Sequence, residues 1–123
     1  MIDLEASMRV ESVANKTEHW SKKFKRNKNQ ELIIKFMLIG QEKLKMPVRI
    51  TLTRVAPRAL DYDNLISACK HYVDVISDWI YPGLQPGRAD GMKGMEWHYK
   101  QEKGRPKEYL LKINIISVED SQF

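Results

Sequence analysis

Between Pro47 and Pro82 the hydrophobic period changes, and that change limits the folds open to this chain. Val48, Ile50 and Leu52 alternate with Arg49, Thr51 and Thr53, the period of two that turns one face of a strand to a core and the other to water. From about Asn64, Leu65, Ala68, Cys69, Tyr72, Val73, Ile76 and Ile80 recur at spacings of three and four, which gives a helix one buried stripe. Tyr81-Pro82-Gly83 ends it. A half-buried strand running into a one-sided helix calls for a sheet with helices laid on it.

The flanks extend this pattern. Residues 8–13 (MRVESV) alternate imperfectly and suggest a short strand with Met8, Val10 and Ser12 on one face. Asn15 is a good N-cap, and Glu18 stands where a capping box wants an acid. A helix over about 16–43 follows. Trp20, Phe24, Ile33, Phe36, Met37 and Gly40 form its apolar side, with room for a break near 27–30. The prolines and glycines of 82–94 make a loop. Glu96–Gln101 reads as a strand, Gly104-Arg105-Pro106 as a turn, and Glu108–Val118 as a last strand with Tyr109, Leu111, Ile113 and Ile115 on one face. The order strand, helix, strand, helix, strand, strand predicts an α+β domain with helices packed on one mixed sheet. No repeat or linker divides the 123 residues, so 1–123 is expected to form a single domain.

The chemistry-bearing residues sit at the mouth of the second helix. Asp61 and Asp63 are two apart, and in extended chain they point to one side with Cα atoms about 6–7 Å apart. Two carboxylates so placed suit magnesium, a hard ion that takes one or two protein carboxylates and completes its shell with water and phosphate oxygens. Such an ion can polarise a phosphodiester and acidify an attacking water. Asp63, Ser67, Lys70 and Asp74 continue at spacings of four, three and four as one polar stripe. Lys70 could thus hold a reacting phosphate. The same residues also have structural readings: Asp63 as a helix cap, Asp61 as a turn residue, Lys70 and Asp74 as a solvated pair.

Charge and the remaining residue types set the context. A net charge of +5 and a pI near 9.3 lean toward a polyanion partner. His19, His71 and His98 have no metal-ligand spacing with the lone Cys69, which falls on the apolar stripe and reads as core. Trp97 and Tyr99 could stack on bases or pack in the sheet. One cysteine makes no internal disulfide and fits a reducing cytosol. The opening MIDLEASMRV lacks the apolar centre of a signal peptide, and no apolar run approaches the roughly 20 residues of a membrane helix. The expectation is a soluble cytoplasmic protein without a membrane partner.

Arg58-Ala59-Leu60-Asp61-Tyr62-Asp63-Asn64-Leu65 resembles the signature of the RusA family of Holliday junction resolvases, an arginine followed by L-D-x-D-N-L. Lys70 with Asp74 resembles the lysine and aspartate that many phage and prophage members carry next. Arg9–Asn15 with Glu18-His19-Trp20 resembles their opening, and Trp97–Gly104 their W-x-Y-x-Q-x-K-G segment. The likeness touches positions 9 to about 115. It implies a RusA-like fold and a homodimeric endodeoxyribonuclease that resolves four-way DNA junctions in recombination and repair, in a bacterial or phage-infected cell. Magnesium, or manganese in its place, would be held by Asp61 and Asp63, with Lys70 at the phosphate. The family's third aspartate counts onto Met92, so a two-residue loop insertion is needed to make Asp90 the third ligand. Asp78 is a weaker substitute. Without a third ligand the chain would bind branched DNA without cutting it, and a partner-binding accessory role is a further alternative. The arms of a junction would meet Lys22, Lys23, Lys25, Arg26 and Lys28, Arg58, and Lys100, Lys103, Arg105 and Lys107. Contacts of that kind are salt-dependent and largely blind to sequence.

Overall fold

The computed structural model describes residues 1–11, 20–82 and 94–118. In chain order the elements are β1 (Ile2–Ala6), α1 (Trp20–Ile39), β2 (Val48–Ala56), α2 (Tyr62–Ile80), β3 (Met95–Lys103) and β4 (Leu110–Ser117). The chain is a small α+β structure, two helices packed on a mixed four-stranded sheet of order β1-β4-β2-β3. β2 and β3 pair in parallel and are joined through α2, because parallel neighbours need a crossover. The β1–β4 and β2–β4 pairs are antiparallel.

Register explains the layers. Ile50 lies opposite Trp97 and Ile115, and Leu52 opposite Tyr99 and Ile113. These residues share the face that meets the helices, and Ile50, Leu52 and Ile113 are fully buried. The opposite face carries Asp3, Glu5, Arg49, Thr51, His98, Lys100, Lys112 and Asn114, with ion pairs from Arg49 to Glu96 and from Lys112 to Glu102 at 3.1 and 3.0 Å. On α2, Leu65, Ala68, Cys69, Tyr72, Val73 and Ile76 fill the core as their spacing predicts. Ile80 is only half-buried, and Val75 joins the buried set. Gly94 leads into β2–β3 pairing with φ of +95°, and its carbonyl accepts from Val48 N at 2.7 Å. A Cβ there would meet the Met46 side chain at 2.8 Å.

Two expectations are corrected. The first strand is Ile2–Ala6, and residues 8–11 of the expected strand over 8–13 form none, because the ladder partners Leu111–Ile115 are taken by residues 2–6; residues 12–13 lie outside the described residues. Met8 and Val10 are nonetheless buried, so their alternation reports packing without pairing. The apolar side of α1 is also different. Ile34 and Leu38 face the core with Gln30, whereas Phe24, Ile33 and Phe36 are exposed. Apolar residues surround this helix, and the spacing alone offers more than one stripe. α1 runs unbroken through 27–30 and ends at Ile39. The forecast of helix at 16–19 and of loop at 83–93 lies outside the described residues.

Candidate active site

Asp61 is the N-cap of α2, with φ −59° and ψ 151°, and its carbonyl accepts the first helical bond from Leu65 N at 2.9 Å. An N-cap aspartate ordinarily turns its carboxylate onto the next free backbone N–H groups. Asp61 makes no such side-chain bond. Asp63 stands in the first helical turn and is exposed, as is Asp61. Only Asp61 has the extended backbone that the sequence suggests for both. Asp63 is helical, so their side-chain directions follow from the bend at Tyr62 and not from a strand. Among the described residues neither carboxylate has a hydrogen-bond or ion-pair partner.

The bend itself is held from the sheet. Gln101 Oε1 accepts from Leu60 N at 2.8 Å, and Gln101 Nε2 donates to the Leu60 carbonyl at 2.8 Å. A side-chain amide thus pairs with the backbone as a neighbouring strand would. Arg54, in register beside Gln101, donates from Nη1 to the Arg58 carbonyl at 2.7 Å and from Nε to the Val10 carbonyl at 2.8 Å. Three backbone groups of the segment before α2, the Arg58 carbonyl and both groups of Leu60, are therefore tied to β2 and β3. The sequence reasoning missed both clamps. Their signal was an arginine at an inward position of a strand otherwise apolar on that side, where a buried charge must find partners.

Lys70 lies on the Asp63 face of α2, and its Nζ is 3.3 Å from Asp74 Oδ1. The i,i+4 pair is thus formed. Asp90 and Met92 lie outside the described residues. Among the described residues no group of three or more histidine, cysteine, aspartate or glutamate side chains comes together to hold a metal. Asp61 and Asp63 supply hard oxygens, unpartnered among the described residues, the ligand type that magnesium takes. Cys69 is fully buried, and burial pushes its thiol up to about 12, so it packs as an apolar group.

The basic candidates divide. Lys100, Lys103, Arg105 and Lys107 are all exposed, on β3 and the β3–β4 turn. On α1, Lys22, Lys25 and Lys28 are exposed, whereas Lys23 and Arg26 are half-buried on the side toward His71. Arg26 pairs with Glu11 at 3.2 Å, and Lys28 with Glu31 at 3.6 Å. At about 100° per residue these five cannot share one face of α1. Arg58 is exposed on the segment before Asp61. Among the described residues no helix is long and apolar enough to cross a membrane. No family model, no curated protein and no solved structure matches this chain.

Proposed function

We propose that this chain is a magnesium-dependent, structure-selective endodeoxyribonuclease of the RusA kind, which resolves four-way junctions by paired phosphodiester cleavage. The observation that carries the reading is the N-cap aspartate that does not cap. Asp61 and Asp63 stand two apart in sequence at a helix mouth, exposed and without protein partners among the described residues. Structural aspartates at such positions are normally spent on backbone N–H groups.

In this reading Asp61 and Asp63 hold the metal, with Asp90 as third ligand, and manganese can substitute. The ion supplies Lewis acidity toward the phosphate and toward water. Gln101 and Arg54 keep the bend before α2 in place, so the two carboxylates keep their spacing. Lys70 contacts the reacting phosphate, which competes with Asp74 for its ammonium group. A homodimer would present two such sites about a dyad, matching the symmetry of the junction.

The deciding experiment incubates the protein with a labelled four-way junction and the matching linear duplex, with and without magnesium. Symmetric nicking of the junction alone, abolished in Asp61→Asn and Asp63→Asn while junction binding is kept or strengthened, is the expected result. An Asp63→Asn protein that cuts at the wild-type rate would overturn the assignment. The second reading is a branched-DNA-binding protein of the same fold without catalysis. The sequence feature in its favour is the loop around Asp90, where the count for the family's third aspartate lands on Met92. It predicts junction affinity with no scission in either metal.

A further inference from the structure

A cleft of about 300 Å³ opens beside the segment that leads into α2, lined by Arg9, Arg54, Ala56, Pro57, Arg58 and Tyr109. Among the described residues no carboxylate lines it. Its deepest charge is Arg54, only 7% exposed. The hydrogen-bond partners of Arg54 are neutral oxygens: the Val10 and Arg58 carbonyls, and Gln101 Oε1 at 3.4 Å. Buried charges in proteins are ordinarily paired with an opposite charge, and this one is not among the described residues. Nε and Nη1 carry all of these bonds, so among the described residues Nη2 has both N–H groups uncommitted. Burial pulls the guanidinium below its ordinary value, and the positive Arg9 adds to this. Arg9 stacks over Tyr109 at 4.7 Å from the ring centre, and its Nε meets Glu11, just outside the cleft, at 3.0 Å. Arg58 is exposed and has no ion-pair partner among the described residues.

We propose that this cleft is a phosphate-binding site, in which Arg54 and Arg58 donate to a phosphate of a polynucleotide backbone and Tyr109 with Arg9 walls in the attached sugar. Guanidinium forks match phosphate oxygens in pairs, and a guanidinium already locked by two carbonyls loses little freedom on binding. The anion would supply the counter-charge that Arg54 lacks. That the phosphate belongs to DNA rests on the nuclease reading; the affinity for phosphate does not. Arg54 Nη1 binds the Arg58 carbonyl, and Asp61 lies three residues on. A backbone seated here would therefore pass close to the two carboxylates.

The test follows the Arg54 side-chain N–H signals by NMR in labelled protein. Inorganic phosphate should shift them saturably, where chloride at equal ionic strength does not. Arg58→Gln, an exposed change, should weaken that response at least about tenfold. A response no different from chloride, or one untouched by Arg58→Gln, overturns the site. A short DNA duplex without metal should displace phosphate from Arg54. If the mononucleotide and free phosphate bind but the duplex leaves Arg54 unmoved, the polynucleotide assignment falls. The two readings separate cleanly. A protein that titrates phosphate but never nicks a junction keeps the cleft and loses the nuclease. A protein that nicks with Arg54 unmoved keeps the nuclease and loses the cleft.

Discussion

Gln101 shows how one side chain can set the geometry of a site it does not enter. Its amide satisfies both backbone groups of Leu60, the residue before the capping aspartate. Gln101→Leu leaves those half-buried groups unpaired, and chemical denaturation should read a loss of about 1–3 kcal/mol. Gln101→Glu keeps the acceptor for Leu60 N but loses the donor, so its loss should be smaller. If Leu and Glu behave alike, the amide is not the clamp. His71 is the second residue of this kind. Its Nε2 lies 3.0 Å from Gln30 Oε1, which also accepts from the Tyr72 hydroxyl at 2.8 Å. Because that oxygen only accepts, the neutral ring donates. Burial, helped by Arg26 and Lys23, pulls the His71 pKa from 6.5 down to about 4. A folded pKa below the unfolded one means that the unfolded chain binds the proton first. The contribution is therefore full above pH 6.5 and is lost as pH falls toward 4. It should amount to the order of 1–2 kcal/mol after allowance for the ring's partial exposure. His71→Gln should flatten the wild-type slope of stability over that range. An unchanged slope would show that other groups carry it.

At the scale of elements, α1 is the unusual part. Its inner side is Ile34 and Leu38, with Gln30 bonded to the Arg9 carbonyl and to α2. On the far side Leu32, Phe36 and Ile39 are 51%, 75% and 73% exposed. At about 100° per residue these three fall within one stripe opposite the core. A contiguous exposed apolar stripe on a small domain is what an interface between chains needs. In the proposed homodimer it is the natural contact. Phe36→Asp should then convert a dimer to a monomer in light scattering after gel filtration, without lowering the stability of the monomer, because Phe36 packs against little in its own chain. A wild-type monomer at micromolar concentration, or a dimer indifferent to Phe36→Asp, would move the interface elsewhere.

At the scale of the whole molecule, the excess positive charge of +5 bears on partner choice and not on fold. The exposed Lys100, Lys103, Arg105 and Lys107 gather around the end of β3 and its turn, while the α1 cations are spread round their helix. If about four phosphates are neutralised, junction affinity should fall about a hundredfold between about 50 and 200 mM salt. Changing those four β3 and turn residues to glutamine should flatten that dependence. A salt-independent affinity would remove the polyanion from the account altogether. Much of this architecture was legible in advance. The period of two at 48–53, the three-and-four spacing of α2 and the element order depend only on residues near each other in the chain, and they decided the α+β layers. The aspartate pair at the helix mouth was equally local. What needed the tertiary structure was every choice among equivalent local patterns. Residues 2–6 and 8–13 both alternate, and only the ladder to Leu111–Ile115 selects the first. α1 has more than one apolar stripe, and only contact with α2 and the sheet decides which is inside. Arg54 and Gln101 act on partners 44 and 41 residues distant, and a hydrogen bond across such separations leaves no period in a sequence to be read.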